Sequence, residues 1–476
     1  MKKKMTKSRL EHDSLGQVEL PHDAMYGAQT QRALTNFPIS GQTARPSLIR
    51  AYLRLKSAAA HANFRCGVIS RSQERLIRRA IDEILGMPET EWPRLFPVDA
   101  YQAGAGTSQN MNVNEVVANF ANRIAGTKAG SNSPIHPNDH VNRSQSTNDS
   151  YPTALRLALL ESSQSLVVEV NAIAKAFRKK AGQWRDLPKS ARTHLQDAVP
   201  MRLGQEIGAY ATVLERCGEW IAQARDELRE LGIGGSAAGT GLTVPKGFIQ
   251  ALLPELTRLT GEKLTSAPDL CESMQSQAPI LYYSSMLRVL AAQLTRICND
   301  LRLLSSGPLT GLAELTLPSV QPGSSIMPGK VNPSILEMVN QACFSILGHD
   351  HAVTMAVQAG QLELNVMMPL MAFSTLEATT VATNSLLTMR MKAIEGLVAN
   401  EERLRHYFES TPQIATALSP KLGYEVTAAL VSEAIASHRS IAALVREKGL
   451  IPDRELRAIL DSRTLTGAAN GSRRRT

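Results

Sequence analysis

A chain of 476 residues, 43% hydrophobic and 20% charged, can bury a large core and has the make-up of an ordinary globular protein rather than a disordered one. The net charge of +9 would attract anions in general, but part of it sits in Lys2-Lys3-Lys4 and Arg473-Arg474-Arg475, which read as solvated ends. Aromatics are only 4% and no basic stripe interleaves with stacking residues, so a nucleic-acid partner is not expected.

The basic start at Met1 is followed by polar residues rather than an apolar signal segment. The most apolar region, residues 366–389, is interrupted by Glu377 and several Thr, Ser and Asn, so no membrane span is expected either. Five scattered cysteines without a CxxC pair form neither a zinc frame nor a disulfide framework, and a reducing, cytoplasmic setting is the expectation. No cofactor motif and no metal-ligand cluster stands out.

Residues 1–149 read as a mixed N-terminal domain of shorter elements broken by Gly, Pro and Asn. From Tyr151 to Ala181 the apolar positions Leu155, Leu159, Leu166, Val170, Ile173 and Phe177 recur at helical spacing, which predicts one long helix. A second is predicted from Pro200 to Leu231, a third from Leu270 to Leu304, and others after Pro333 and Pro369. Residues 150–404 therefore read as a central long-helix bundle, and residues 405–476 as a small C-terminal domain of short helices such as 425–437 and 440–448. The expected fold class is mainly α.

Four segments rich in hydroxyl and amide groups stand before predicted helix starts: 106–110, 144–149, 192–197, and the loop ending at Asn332-Pro333. Helix N-termini present unsatisfied N–H groups and partial positive charge, which suits carboxylates. Each segment taken alone is explained by capping, but a cap needs one such residue and these segments hold several. The loop Gly323-Ser324-Ser325-Ile326-Met327-Pro328-Gly329-Lys330-Val331-Asn332-Pro333 adds glycine hinges, two serines, a cation and an amide. It can fold over an anion, its serines acting as donors or, if activated, as a base. A small dicarboxylate is the expected ligand. If the helices starting near Tyr151 and Pro200 are antiparallel, Thr147-Asn148 and Thr193-His194 lie at opposite ends of the bundle. They then meet only between copies of the chain in a symmetric oligomer.

Segments 26–33, 104–112, 136–142, 145–149, 193–197 and 323–333 together resemble the fumarase/aspartase superfamily, over nearly the whole chain. The resemblance implies a three-domain fold whose long central helical bundle packs into a homotetrameric core, with each active site shared among subunits. Ser146-Thr147-Asn148-Asp149, segment 299–308 and segment 360–367 look more like the aspartase branch than like class II fumarases. That branch eliminates ammonia from L-aspartate to give fumarate; the alternatives are malate or another succinyl substrate. By the same resemblance Ser324 is the base, and Thr107, Ser146, Thr147 and Ser325 hold the reacting carboxylate. Lys330 and Asn332 bind the other carboxylate, and Asn148, Thr193 and His194 stand near the amino group. His194 is a candidate acid or base with Glu337 paired behind it. His136, Asn138 and Asp139 resemble a second dicarboxylate-binding stretch, for which an Asx-capped turn is an equal reading. No cofactor is implied, though some relatives allow activation by a divalent cation.

Two positions depart from the pattern: Leu309 stands where an arginine commonly follows Ser-Gly-Pro, and segment 275–279 lacks the usual Asn-Thr-Asp-Ala character. Two readings from other classes remain at this stage. The glycine-rich run 232–241 suggests a dinucleotide site but follows a predicted helix rather than a strand. A non-catalytic scaffold on an enzyme fold is the other.

Overall fold

The computed structural model describes residues 8–467, so the basic stretches Lys2–Lys4 and Arg473–Arg475 lie outside the described residues. The protein is mainly helical, and its sheets are two-stranded. It divides into two compact units, one comprising residues 1–168, 219–291 and 344–383, the other 169–218, 292–343 and 384–476. Five long helices, Thr147–Gln183, Leu203–Glu227, Ala278–Leu304, Ser334–Gln358 and Met368–Met389, contribute residues to both units.

The first unit opens with an antiparallel hairpin of β1 (Ser8–Asp13) and β2 (Gly16–Pro21), turned at Gly16, whose φ is +112°. Helix Pro46–Arg65 starts on a proline at its first position, where a missing N–H costs nothing. Helix Arg71–Leu85 starts on a reciprocal capping box between Ser70 and Gln73.

Helix Thr107–Ile124 is buried on every side from Ser108 to Asn122, although it carries many amides. Those amides substitute for backbone partners that irregular neighbours lack. Asn112 donates to the Leu95 carbonyl, Asn119 to that of Met25, and Asn122 both donates to and accepts from Ile135. Glu115 does the same with charge. Its carboxylate accepts from the N–H groups of Gly27, Gln29 and Thr30 and from the Thr30 hydroxyl, closing the N-terminus of helix Ala28–Asn36.

In the second unit, β3 (Pro188–Thr193) and β4 (Gln196–Arg202) form an antiparallel hairpin. Segment 192–197 is therefore not a helix start, contrary to expectation, and the helix predicted from Pro200 begins at Leu203 and ends at Glu227. The physical reason is a buried charge. A β-bulge between Ser190 and Arg192 shifts the register, so Lys189 and Arg192, three residues apart, can both reach the fully buried Glu314. Lys189 Nζ lies 2.8 Å from Glu314 Oε2, and Arg192 donates to Oε1 at 2.6 Å.

The C-terminal helices Tyr424–Ser437 and Ile441–Glu447 close over an apolar cluster that includes Leu418, Leu430, Leu444, Val445 and Leu456. No single helix among the described residues is long and apolar enough to cross a membrane.

Three further boundaries differ from the sequence reading. The helix predicted from Tyr151 begins at Thr147 and runs 37 residues, about 55 Å at 1.5 Å per residue. The one predicted over 270–304 breaks at Ser276-Gln277 into Leu270–Gln275 and Ala278–Leu304. Within residues 1–149, expected to hold shorter elements, Pro46–Arg65 runs 20 residues and Thr107–Ile124 runs 18.

Candidate active site

Thr107, Ser146, Thr147 and Asn148 belong to the first unit, at the starts of helices Thr107–Ile124 and Thr147–Gln183. The first start is set by packing. Ala105 and Gly106 take left-handed φ of +59° and +81°, and a Cβ at Gly106 would sit 1.9 Å from Tyr151 Cδ2. Only glycine lets the chain pass the Tyr151 ring and turn Thr107 into an exposed first-turn position.

The second start is set by Asp149, which is fully buried. Its Oδ1 accepts from the Ser146 N–H at 2.9 Å, and its Oδ2 accepts from the N–H groups of Gly234 and Ser236 at 3.1 and 2.9 Å. Burial pushes the Asp149 carboxyl up to about 7 against those three donors. The glycine-rich run 232–241 thus cradles the protein's own carboxylate. A two-residue strand, Glu230–Leu231, does precede that run, but no helix starts again before Phe248, unlike a phosphate-binding turn. Ser146 Oγ accepts from the Asn148 N–H, and Asn148 Nδ2 donates to the Ala237 carbonyl at 2.8 Å.

Beneath these residues lies a polar core that the sequence reading missed. Lys56 is fully buried and donates to Asn110 Oδ1, Asn142 Oδ1 and Gln145 Oε1 at 2.8, 2.9 and 3.1 Å. Asn110 Nδ2 donates to Thr147 Oγ1 at 3.0 Å. Burial lowers the Lys56 ammonium to about 7, with the Asp149 charge opposing that shift. Three acceptors and no donor surround Nζ, however, which suits the charged form, since a neutral amine would aim its lone pair at an oxygen. Helical spacing could have found it: Lys56 falls on the same stripe as the buried Tyr52, Leu53, Ala59 and Ala60.

Thr193, His194, Ser324, Ser325, Lys330, Asn332 and Glu337 belong to the second unit. Thr193 ends β3. His194 and Leu195 form the two-residue turn, with φ of +56° and +60°, the pattern of a type I′ hairpin turn. The tip is exposed, Leu195 at 72%. In the loop, Gly323 N–H donates to the Lys330 carbonyl, and a Cβ at Gly323 would sit 2.6 Å from that oxygen. Asn332 does not cap the following helix. Its Nδ2 donates to the Gly323 carbonyl and its Oδ1 accepts from Lys330 Nζ at 2.7 Å, while the Pro333 carbonyl receives the first helical N–H groups.

Ser324 Oγ accepts from the N–H groups of Ile326 and Met327 at 3.2 and 3.0 Å. Two backbone donors on one hydroxyl oxygen favour its anionic form. Ser325 is exposed. Glu337 stands in the first turn of Ser334–Gln358, and among the described residues it forms no ion pair with His194 inside one chain.

His136, Asn138 and Asp139 line or adjoin a cavity of about 410 Å³ that also meets Glu11, Asp13 and Glu115. The turn there is capped by His136 itself rather than by an Asx side chain: its Nδ1 accepts from the N–H groups of Asn138 and Asp139, both at 3.2 Å. Leu309, at the position of the missing arginine, is 86% exposed. Among the described residues no cluster of three or more His, Cys, Asp or Glu could hold a metal ion.

Residues 16–348 match a family described as lyase, and residues 414–467 match the fumarase C C-terminus. The chain is 42% identical to an aspartate ammonia-lyase of Bacillus sp over 97% of this chain and 98% of that one. It is also 42% identical to that of Helicobacter pylori strain 26695, over 94% and 96%. Among solved structures, a fumarate lyase:delta crystallin from Brucella melitensis bound to cobalt superposes with a TM-score of 0.92 at 40% identity, over 96% of this chain and 99% of that one. A class II fumarase from Schistosoma mansoni gives 0.91 at 34%, over 96% and 98%. With the serine-bearing loop, the hydroxyl-lined helix starts and these likenesses spanning nearly its full length, the chain belongs to the lyase family of the fumarase/aspartase superfamily.

Proposed function

We propose that the protein is an aspartate ammonia-lyase, a carbon–nitrogen lyase that reversibly converts L-aspartate to fumarate and ammonia. The observation that carries the mechanism is Ser324, whose oxygen already accepts two backbone N–H groups and is thereby suited to act as an alkoxide base. Ser324 takes a proton from the carbon next to one carboxylate. The C–H electron pair moves into that carboxylate to give a dianionic aci-carboxylate, which then collapses to the double bond as the C–N bond breaks and ammonia leaves. Thr107, Ser146, Thr147 and Ser325 hold the dianion, where donors matter most because charge develops there. Lys330, kept in place by Asn332, meets the far carboxylate, and Asn148, Thr193 and His194 surround the amino group. Glu337 from another copy is the partner proposed for His194, and His136, Asn138 and Asp139 are kept as a candidate second dicarboxylate site.

The reading includes a homotetramer with shared sites, built on segments 1–149, 150–404 and 405–476 and acting in the cytoplasm. Its support is the apolar surface beside the site residues. Leu195, Ile326, Met327 and Val331 are 72, 83, 49 and 48% exposed in the single chain, and Phe344 on helix Ser334–Gln358 is 58% exposed. No cofactor enters the scheme.

Fumarate formation from L-aspartate and from L-malate, followed side by side by ultraviolet absorbance, tests the proposal. Turnover of aspartate is expected. A clear preference for malate replaces this reading with a class II fumarase, which the likeness to the Schistosoma mansoni enzyme supports as the second choice.

A further inference from the structure

Thr147 Oγ1 accepts a hydrogen bond from Asn110 Nδ2, and among the described residues it donates to no protein acceptor. A hydroxyl that accepts from behind has its one proton free to give in front. What decides whether it accepts or donates is the orientation of the Asn110 amide, since a flipped amide would present an oxygen to Thr147 and draw the proton inward.

We propose that Lys56 is a positioning residue that sets this orientation: its buried ammonium holds Asn110 Oδ1, leaves Nδ2 facing Thr147, and so aims the Thr147 proton outward at a substrate carboxylate. The inference rests on the reading that Thr147 binds a carboxylate. Lys56 Nζ has three donors and meets three amide oxygens, those of Asn110, Asn142 and Gln145, and Ser150 Oγ is a second donor to Asn110 Oδ1 at 3.3 Å. With Oδ1 so engaged, Nδ2 has two hydrogens to place, one on Asn142 Oδ1 at 3.2 Å and one on Thr147. The neighbouring amides are locked as well: Asn142 Nδ2 donates to the Gln145 carbonyl, and Gln145 Nε2 to the carbonyls of Val141 and Arg143. None of these three amides can flip without setting oxygen against oxygen or stranding a buried donor. The cation thus acts on the site through one asparagine.

The test is a double-mutant cycle read by calorimetric binding of succinate, a dicarboxylate with no leaving group, and by KM for L-aspartate. Asn110→Asp keeps an acceptor for Lys56 but cannot donate to Thr147, and Thr147→Val removes the hydroxyl. Each single change is expected to weaken succinate binding by about 10- to 100-fold, as for loss of a donor to a charged group. The charge that Asn110→Asp introduces is present with and without Thr147, so the interaction between the two changes isolates the direction of the hydroxyl. The double variant is expected to bind within about threefold of Asn110→Asp alone. Additive losses, or Asn110→Asp binding as tightly as the unaltered chain, overturn the proposal while leaving aspartate turnover to stand by itself. A second cycle pairs Lys56→Met with Thr147→Val, with non-additive losses expected and additive ones again overturning the proposal, and it stands alone should Asn110→Asp fail to fold. If the unaltered chain binds succinate yet forms fumarate from neither substrate, the functional reading fails and the cycle still decides the role of Lys56. If it binds no succinate, the proposal is overturned as well.

Discussion

Gly106 and Gly126 flank the same helix in nearly the same backbone conformation, φ of +81° and +83°, but in opposite surroundings. Nothing lies within 4 Å of where a Cβ would stand at Gly126, whereas at Gly106 it would lie 1.9 and 2.1 Å from two Tyr151 ring carbons. Gly126→Ala therefore measures the left-handed conformation alone, roughly 1–2 kcal/mol. Gly106→Ala adds a steric term. Ordinary carbon contacts begin near 3.5 Å, so the ring or the loop must move by about 1.5 Å. The ring is 2% exposed and packs edge-on against Tyr52 at 5.9 Å, so it has little room. Overpacking of this kind costs about 1–3 kcal/mol, giving roughly 2–5 kcal/mol for Gly106→Ala. Urea unfolding of both variants measures the difference, with an unchanged slope expected. Because Thr107 follows directly, Gly106→Ala should also raise KM for aspartate at least tenfold, while Gly126→Ala leaves it within about twofold. Equal stability losses in the two variants would refute the claim that Tyr151 sets the loop.

Ser324→Ala is expected to lower kcat by at least about a thousandfold with the unfolding midpoint unchanged, since among the described residues the side chain bonds only within its own exposed loop; near-normal turnover removes it as the base. Glu115→Gln turns an amide nitrogen toward the N–H groups of Gly27, Gln29 or Thr30 in a buried setting, and urea unfolding should show a loss of about 2–4 kcal/mol. A loss under about 0.5 kcal/mol contradicts the capping role assigned to this carboxylate. Burial holds the His140 imidazole below its ordinary range, and its Nδ1 accepts from the His136 N–H at 2.8 Å. As pH falls below about 6.5 the unfolded chain takes up a proton that the folded chain resists, so this group makes stability fall with acidification. Thermal melts from neutral to mildly acidic pH should show a shallower decline for His140→Asn than for the unaltered chain, and parallel curves would exclude the effect.

Periodicity and punctuation make much of the architecture legible from the residues alone. The apolar stripe from Leu155 to Phe177 marks a helix because burying one face of a long helix demands that spacing, and the loop around Ser324 is ordered locally, its hydroxyl accepting from N–H groups two and three residues on. Residues close in sequence explain why: capping, turning glycines and helical stripes are short-range effects. The hairpin of β3 and β4 escapes this reading because its cause is Glu314, more than a hundred residues away, whose buried charge draws in Lys189 and Arg192. The glycine-rich run 232–241 is legible as a loop, but its task of holding Asp149 depends on a contact across 85 positions. Lys56 is the clearest case. Its sequence neighbours, from Arg54 and Leu55 to Ser57 and Ala58–Ala60, offer it no counter-charge, and only the tertiary structure supplies three amide oxygens from two other segments, because a buried charge is tolerated solely where distant polar groups converge to solvate it.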